Sequence, residues 1–407
     1  MTEEILAGML RERIAQQGPI TFAEFMEAAL YHPEHGYYSS TSERVGAHGD
    51  FSTSPTTHPV FGTLIGCQLW EMWELLDRPR KFTVVEMGCG DGLLCRDILS
   101  SVRVLCPDFF RSVRYVLVER SAGQRERQGV TLAELREERP DLESVESLDE
   151  MSLDKIEGCF LSNELVDAFP VHRVAKVGGR LREVYVGLAD GQFVDVLGEP
   201  SSLALEDHLQ WVGVALEEGQ YAEVNLLAPE WMRQVGSRLQ RGFALTVDYG
   251  YTAQQLYAPS RRGGTLLSYR RHCWGTDQYQ RVGLQDLTAH VDFSALVKAG
   301  LPVGLEFTGL TSQQSFLMSL GLREYAEGLR DLRLPAPEFQ ANVRAMDALI
   351  RPEQLGNHRV LVQHKGIDYP NVTGLGAVSE RKLDVRGSAA SLPRLRWHRP
   401  SYIVDRT

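Results

Sequence analysis

Residues 81–98, KFTVVEMGCGDGLLCRDI, constrain the fold more than any other stretch of the chain. An apolar run from Phe82 to Val85 ends in Glu86, and glycines then alternate at Gly88, Gly90 and Gly92. Leu93, Leu94, Ile98 and Leu99 follow at helical spacing. Strand, glycine turn and helix in that order open a doubly wound α/β sheet, whose first turn cradles a nucleotide-like ligand at the carboxyl end of the strand. The missing Cβ atoms let the backbone turn tightly and let a ligand come close.

The spacing narrows the choice of ligand. A dinucleotide fingerprint, G-x-G-x-x-G, needs its third glycine at 93, where this chain has Leu93. That fingerprint sets a pyrophosphate on a helix N-terminus. Here Glu86 leads the turn and Asp91 lies inside it. Two carboxylates repel phosphates and suit a ligand bearing an amino group and a sulfonium. The acid-x-G-x-G-x-G pattern resembles motif I of class I S-adenosyl-L-methionine-dependent methyltransferases.

Composition excludes some alternatives. The 407 residues are 43% apolar, enough for a sizeable core and for two or three domains. A net charge of −11 with no long basic run disfavours a nucleic-acid substrate and favours a basic protein partner. Cys67, Cys89, Cys95, Cys106, Cys159 and Cys273 form no C-x-x-C pair, so neither a zinc site nor a disulfide framework is indicated. Reduced thiols, no long apolar run and no leader-like segment lead to the expectation of a cytoplasmic protein without a membrane anchor.

In chain order, residues 2–17 and the segment after Thr21 read as two helices, the second opened by a Thr21–Glu24 capping box. The loop from Tyr31 to Ser54 admits two readings: Tyr37, Tyr38, Asp50 and Phe51 roof a pocket, or the tyrosines simply pack the loop. A strong helix from Pro59 to Leu76 looks buried on most sides. A second strand over Tyr115 to Val118 ends in Glu119, placed to accept both ribose hydroxyls of a nucleoside. Thr131 to Glu138 reads as a charged helix and Val145 to Leu148 as a short third strand, where Ser147 and Leu148 join the candidate cofactor-binding set. The fourth strand ends at Leu161, and Asn163, Glu164 and Asp167 cluster beyond it; either they face the reactive group of the ligand or they cap the next turn.

Gly178-Gly179 and Asp190-Gly191 turns join alternating strands between Arg173 and Val196, an antiparallel insertion continued by a helix near 203–219. A helix over Pro229 to Leu239 precedes a fifth strand, Phe243 to Val247, ending in Asp248-Tyr249. Arg270, His272, His290 and Asp292 lack a compact metal-ligand spacing. Val303 to Phe307 and His358 to His364 read as the sixth and seventh strands, with the helical patterns between them (316–330 and 338–349) as a lid or an insertion. The segment from Tyr369 reads as a flexible tail or a strap. The expected organisation is therefore a helical cap (1–78), a Rossmann-like ligand-binding domain with a seven-stranded mixed sheet (79–172 and 240–366), an inserted β/helical substrate domain (173–239) and a tail (367–407).

Seven segments in fixed order resemble the MidA-like methyltransferases, a family that includes the mitochondrial complex I assembly-factor arginine methyltransferase. They are GPITFAEFMEAALYHPEHGYYS, GDFSTSP, EMGCGDG, SNELVDAFPVH, VDYGY, GTLLSY and DLTAHVDF, spread over roughly residues 5–366. The resemblance implies a class I methyltransferase fold, S-adenosyl-L-methionine as cofactor, S-adenosyl-L-homocysteine as product, and a protein substrate methylated on an arginine. Carried over, Gly88, Gly90 and Gly92 match the family's glycine turn, Glu119 the acid on the ribose, and Asn163, Glu164 and Asp167 the Asn-Glu-x-x-Asp-Ala segment; Glu86 joins the cofactor-binding set. For an arginine substrate the expected guanidinium clamp is Glu164 and Asp167, with Asp50 as a third member; Asn163 orients the nucleophile or the methionyl amino group, and His172 is a weaker candidate for taking the proton. The chain departs from the family pattern at Cys89 and Asp91, where Pro and Arg are usual, and at Thr56, where Glu is usual. A homodimer stays open, as do a small-molecule methyltransferase and a non-catalytic assembly chaperone on the same fold, although the acids at 86, 119 and 164 speak against the chaperone.

Overall fold

The computed structural model describes residues 2–39, 52–139, 141–270, 273–377 and 382–396; Asp50, Phe51 and His272 lie outside them. The chain forms two compact units, Ser52–Asn163 with Val235–Asp248 and Gly304–Thr407, and Met1–Phe51 with Glu164–Gln234 and Tyr249–Val303. This division differs from the expected one: the first helices and the inserted strands fall in the same unit.

The first unit is built on a seven-stranded sheet. Its strands are β1 (Phe82–Met87), β2 (Val113–Val118), β3 (Glu143–Val145), β4 (Ile156–Asn163), β5 (Leu239–Asp248), β6 (Glu306–Ser312) and β7 (Arg359–Lys365). Their spatial order is β6-β7-β5-β4-β1-β2-β3, and β7 alone runs antiparallel to its neighbours. The order reverses between β1 and β4, so the crevice at their carboxyl ends is the topological switch point. Every residue of β1 is buried, as a central parallel strand requires.

A helix over Val60–Leu75 covers the sheet, buried along most of its length as its broad apolar face requires, with Trp73 in the core. It packs against the helix Leu93–Leu105 so closely that a Cβ on Gly62 would lie 2.6 Å from Asp97 Cβ, and one on Gly66 2.9 Å from Val102 Cγ1. Four-residue spacing puts both glycines on one face, where they let two backbones approach.

Several sequence readings are corrected. The third strand ends at Val145, because Leu148–Glu150 turns into a 3₁₀ helix. The charged helix near 131–138 is two helices, Ala122–Thr131 and Ala133–Glu138. The sixth strand is Glu306–Ser312, preceded by a 3₁₀ turn over Leu301–Val303. Of the two readings of the helices between the sixth and seventh strands, lid or insertion, they are an insertion that joins the core: Gln313–Ser319 and Leu322–Asp331, separated at Gly321 (φ 109°), bury Phe316, Leu317, Tyr325 and Leu329. Of the two readings of the C-terminal segment, the strap is the one found through residue 396. Val372, Val385 and Leu392 join the core, Tyr325 donates to the Pro393 carbonyl at 2.6 Å, and Asn342 exchanges two hydrogen bonds with Leu395.

In the second unit, Arg180–Ala189 carries Gln192–Gly198 along one side and His172–Val177 with Ile20–Thr21 along the other. Tyr221–Val224 completes this five-stranded antiparallel sheet. Gly178, Gly179, Asp190 and Gly191 all have positive φ, as tight hairpin turns demand. The Thr21–Glu24 capping box opens Phe22–Tyr31, which buries Phe22, Phe25, Met26 and Leu30 with Val186, Phe193 and Leu287. The helix expected near 203–219 is only Ala204–Val212, ended by Gly213 at φ 79°.

The two covering helices yield a stability test. Gly62→Ala is expected to cost about 1–3 kcal/mol by overpacking against Asp97, read as a lower midpoint in urea unfolding with an unchanged slope; an unchanged midpoint would show that the helices separate freely.

Candidate active site

At the carboxyl end of β1, Gly88, Gly90 and Gly92 adopt φ values of 67°, 53° and 84°, and Gly92 caps the helix Leu93–Leu105. Gly88 N–H donates to the Val118 carbonyl of β2 at 2.9 Å, and Gly92 N–H to the Cys89 carbonyl at 3.0 Å. A Cβ on Gly90 would meet nothing within 4 Å, so the turn is open to an approaching ligand there. Asp91 Oδ1 accepts from Leu93 N–H at 3.2 Å; this departure from the family pattern serves the start of the helix.

Two acids flank the turn. Glu119, following β2, accepts from Gly90 N–H at 2.9 Å through one oxygen and from Ser121 N–H at 2.8 Å through the other. Burial raises its pKa, while those backbone donors, Arg125 and Arg127 oppose the rise. Glu86, in β1, is buried and accepts the Tyr115 hydroxyl at 2.6 Å. Burial pushes its carboxyl up to about 8 against that hydrogen bond, and the charges that add to the shift, Asp91 and Glu119, are both acids. Ser147 precedes the 3₁₀ turn containing the buried Leu148, and Asn163 ends β4 in register with Val247 of β5. The polar groups named by the sequence thus gather at the carboxyl ends of β1 to β4. This donor set fits S-adenosyl-L-methionine: an open glycine turn, an acid within reach of hydroxyl donors, and a buried carboxyl surrounded by acids.

In the second unit, Glu164 has φ 51°, a left-handed conformation that is rare for a side chain of this kind and often marks functional sites. Asp167 sits in the 3₁₀ turn Val166–Ala168, buried, and accepts the Tyr249 hydroxyl. Burial pushes it up to about 6, and the Tyr249 hydrogen bond opposes the rise. Its carbonyl accepts from Ala289 N–H at 3.0 Å. Tyr38 donates to Asp286 at 2.9 Å and Tyr31 to the Ala168 carbonyl at 2.9 Å. Tyr31 and Tyr38 thus both reach polar groups, and residues 40–51 of that loop lie outside the described residues. Burial raises the Tyr269 hydroxyl, and Asp167, Asp286 and Glu164 raise it further. His172 Nδ1 lies 2.7 Å from the buried Glu183 Oε1.

Asp292 caps the helix Phe293–Gly300, and His290 meets Tyr249 edge-on at 5.4 Å with its pKa pushed down to about 4 by burial. Among the described residues no group of three or more His, Cys, Asp or Glu can hold a metal. Tyr249 and Asp286 were given no role from the sequence, although both lie in segments that carry the family resemblance; Tyr38 was named there as part of a pocket roof. Thr56 is explained locally: its hydroxyl accepts from Thr53 N–H at 2.9 Å and closes a capping box, the job a Glu performs at that position.

The strand order, the glycine turn, the acid within β1 and the acid after β2 define a class I S-adenosyl-L-methionine-dependent methyltransferase fold. A family model described as "Putative S-adenosyl-L-methionine-dependent methyltransferase" matches residues 64–311, and the chain belongs to that family. It is 30% identical to the mitochondrial protein arginine methyltransferase NDUFAF7 of Mus musculus, over 85% of this chain and 81% of that protein. The Danio rerio counterpart is 29% identical over 85% and 83%. A Burkholderia thailandensis protein crystallised with S-adenosyl-homocysteine superposes with TM-score 0.82 at 30% identity, covering 92% of this chain and 95% of that one. The expected cytoplasmic location is overturned, because these curated relatives are named mitochondrial. Among the described residues Cys67, Cys89, Cys95, Cys106 and Cys159 form no disulfide, which does not say which compartment the protein occupies. No helix among the described residues is long and apolar enough to cross a membrane.

Glu86 gives this unit a pH signature. Its folded pKa lies above the unfolded value, so the folded state keeps a proton that the unfolded state has lost, and stability falls as pH rises from about 5 to about 8. Glu86→Gln is expected to remove that slope and to be the more stable protein at about pH 8, by a few kcal/mol as an order of magnitude; parallel stability–pH curves from urea titrations would refute the assignment.

Proposed function

We propose that the chain transfers the methyl group of S-adenosyl-L-methionine to a guanidinium nitrogen of an arginine in a protein substrate. The observation that carries the reading is the pair of acids that follows β4: Glu164, held at φ 51°, and the buried Asp167, which accepts the Tyr249 hydroxyl. A planar cation with five N–H donors is matched by paired carboxylates, which fix its plane as well as its charge. The name of the curated relatives, protein arginine methyltransferase, supports the same substrate.

In this reading Gly88, Gly90 and Gly92 let the cofactor approach the backbone, and Glu119 accepts its ribose hydroxyls. Ser147 and Leu148 border the base, and Glu86 and Asn163 serve the amino-acid end. The cofactor brings a methyl group already activated on sulfur, so the protein's task is placement. Glu164 follows Asn163, the last residue of β4, in the chain. Glu164 and Asp167 orient the guanidinium so that one nitrogen forms the new bond to carbon as the carbon–sulfur bond breaks. His172, held through Nδ1 by Glu183, takes the proton that this nitrogen releases. Asp50 remains a candidate third member outside the described residues.

Radiolabelled methyl incorporation into the proteome of a strain lacking this protein tests the reading; mass spectrometry is expected to map the label to arginine. Label confined to small molecules or to another residue type would overturn it. Glu164→Gln is expected to slow transfer about a hundredfold or more while leaving S-adenosyl-homocysteine affinity nearly intact; equal loss of both refutes the clamp. Asp167 must be ionised to bind a cation, so the rate is expected to fall as pH drops through about 6. Tyr249→Phe should shift that acidic limb to higher pH, since the lost hydrogen bond favours the ionised form. An unmoved limb in a pH–rate profile separates the hydroxyl from the titration.

A further inference from the structure

Gln128 has no part in the resemblance or in the site as read from the sequence, yet it is completely buried in the sheet unit and reaches the glycine turn. It lies on the helix Ala122–Thr131. Its side-chain nitrogen donates to the Gly90 carbonyl at 2.7 Å and lies 3.2 Å from Cys89 Sγ. Its side-chain oxygen accepts the Ser144 hydroxyl of β3 at 2.8 Å, and Ser144 in turn accepts from Arg136 at 3.0 Å. This arrangement fixes which end of the amide faces the turn, because a carbonyl cannot donate to Gly90.

The contacts close a ring. Gly90 N–H is bound by one oxygen of Glu119, and the other oxygen binds Ser121 N–H. Ser121 is the N-cap of the helix Ala122–Thr131, which brings Gln128 back to the carbonyl of Gly90. The Gly90 residue is thus held at both its N–H and its C=O, at a φ of 53° that the absence of a Cβ allows. The stem of Gln128 also approaches the turn: a Cβ on Gly92 would lie 3.4 Å from Gln128 Cγ.

We propose that Gln128 is a positioning residue for the cofactor: by holding the Gly90 carbonyl it sets the Gly90 N–H on Glu119 and so fixes the acid and the open turn in the geometry that receives the nucleoside. Ser144 acts through Gln128 by fixing the amide. The edge strand β3 is therefore wired to the turn after β1, two strands away.

Gln128→Met keeps the length and most of the packing and removes both polar ends. Calorimetry with S-adenosyl-homocysteine is expected to show Kd raised about tenfold, the loss of one hydrogen bond to a held group. The loss should appear in Kd and in KM for S-adenosyl-L-methionine more than in kcat. Hydrogen exchange should quicken at the Gly90 amide while the amides of β1, β4 and β5 keep their protection. Ser144→Ala leaves Gln128 in place but releases its amide, and is expected to raise Kd about two- to fivefold, in the same direction. Wild-type Kd in Gln128→Met overturns the proposal. So does faster exchange across the whole sheet in both variants, which would mark a packing role only. These readouts do not depend on the methyl acceptor, so they stand apart from the test of the arginine reading.

Discussion

A carboxyl group lies inside an otherwise uncharged strand. β1 is wedged between β2 and β4 with all six residues buried, and one of them is Glu86. An ionised acid there is unfavourable unless paired, so burial raises its pKa, and the opposing hydrogen bond comes from the phenol of Tyr115, which stands opposite Val84 in the next strand. Everything above it follows from the same strand end. The three positive-φ glycines leave β1 there, Gly88 is tied to β2, and Glu119 reaches across to Gly90. A ligand carrying an ammonium and a sulfonium fits such a place, and one carrying phosphates does not.

The two units are interleaved in sequence. The chain leaves the sheet unit after Asn163 at the end of β4 and again after Asp248 at the end of β5. Each departure is followed directly by residues that carry chemistry, Glu164 to Asp167 and Tyr249. The second unit needs its own core to hold them, and it builds one from rings: Phe25 meets Phe193 at 5.5 Å and Tyr279 at 5.4 Å, and Arg173 lies over Phe22. Segments from three parts of the sequence meet in that core, which is why neither the first helices nor the inserted hairpins stand alone as a domain.

Local features were legible in the sequence. The glycine turn, the acid after β2, the Thr21–Glu24 box and the GG and DG turns are all decided by residues a few positions apart. What was missed depends on distance along the chain. Tyr249 finds Asp167 and Tyr38 finds Asp286 across long separations, and no periodicity announces such pairs. The helices from Gln313 to Ile350 show a buried face in their pattern, but the pattern does not say that its partner is the sheet core. The strap was ambiguous because its attachments, such as Tyr325 to the Pro393 carbonyl, are single bonds from a segment with little periodicity. Thr56 stood out as a departure from the family pattern, whereas its hydroxyl performs the expected capping in a different way.

The position of β7 has a consequence for biosynthesis. Among the described residues it is the last strand to be made, yet it lies between β5 and β6 and pairs with both. While the ribosome is still translating the residues before Arg359, β5 has one finished neighbour and one bare flank of unpaired N–H and C=O groups, and β6 has none on that side. Such flanks recruit other strands. From the completion of β5 at Asp248 until Arg359–Lys365 is made, the nascent chain therefore carries an adhesive seam, and it depends on late zippering of one antiparallel strand to seal it.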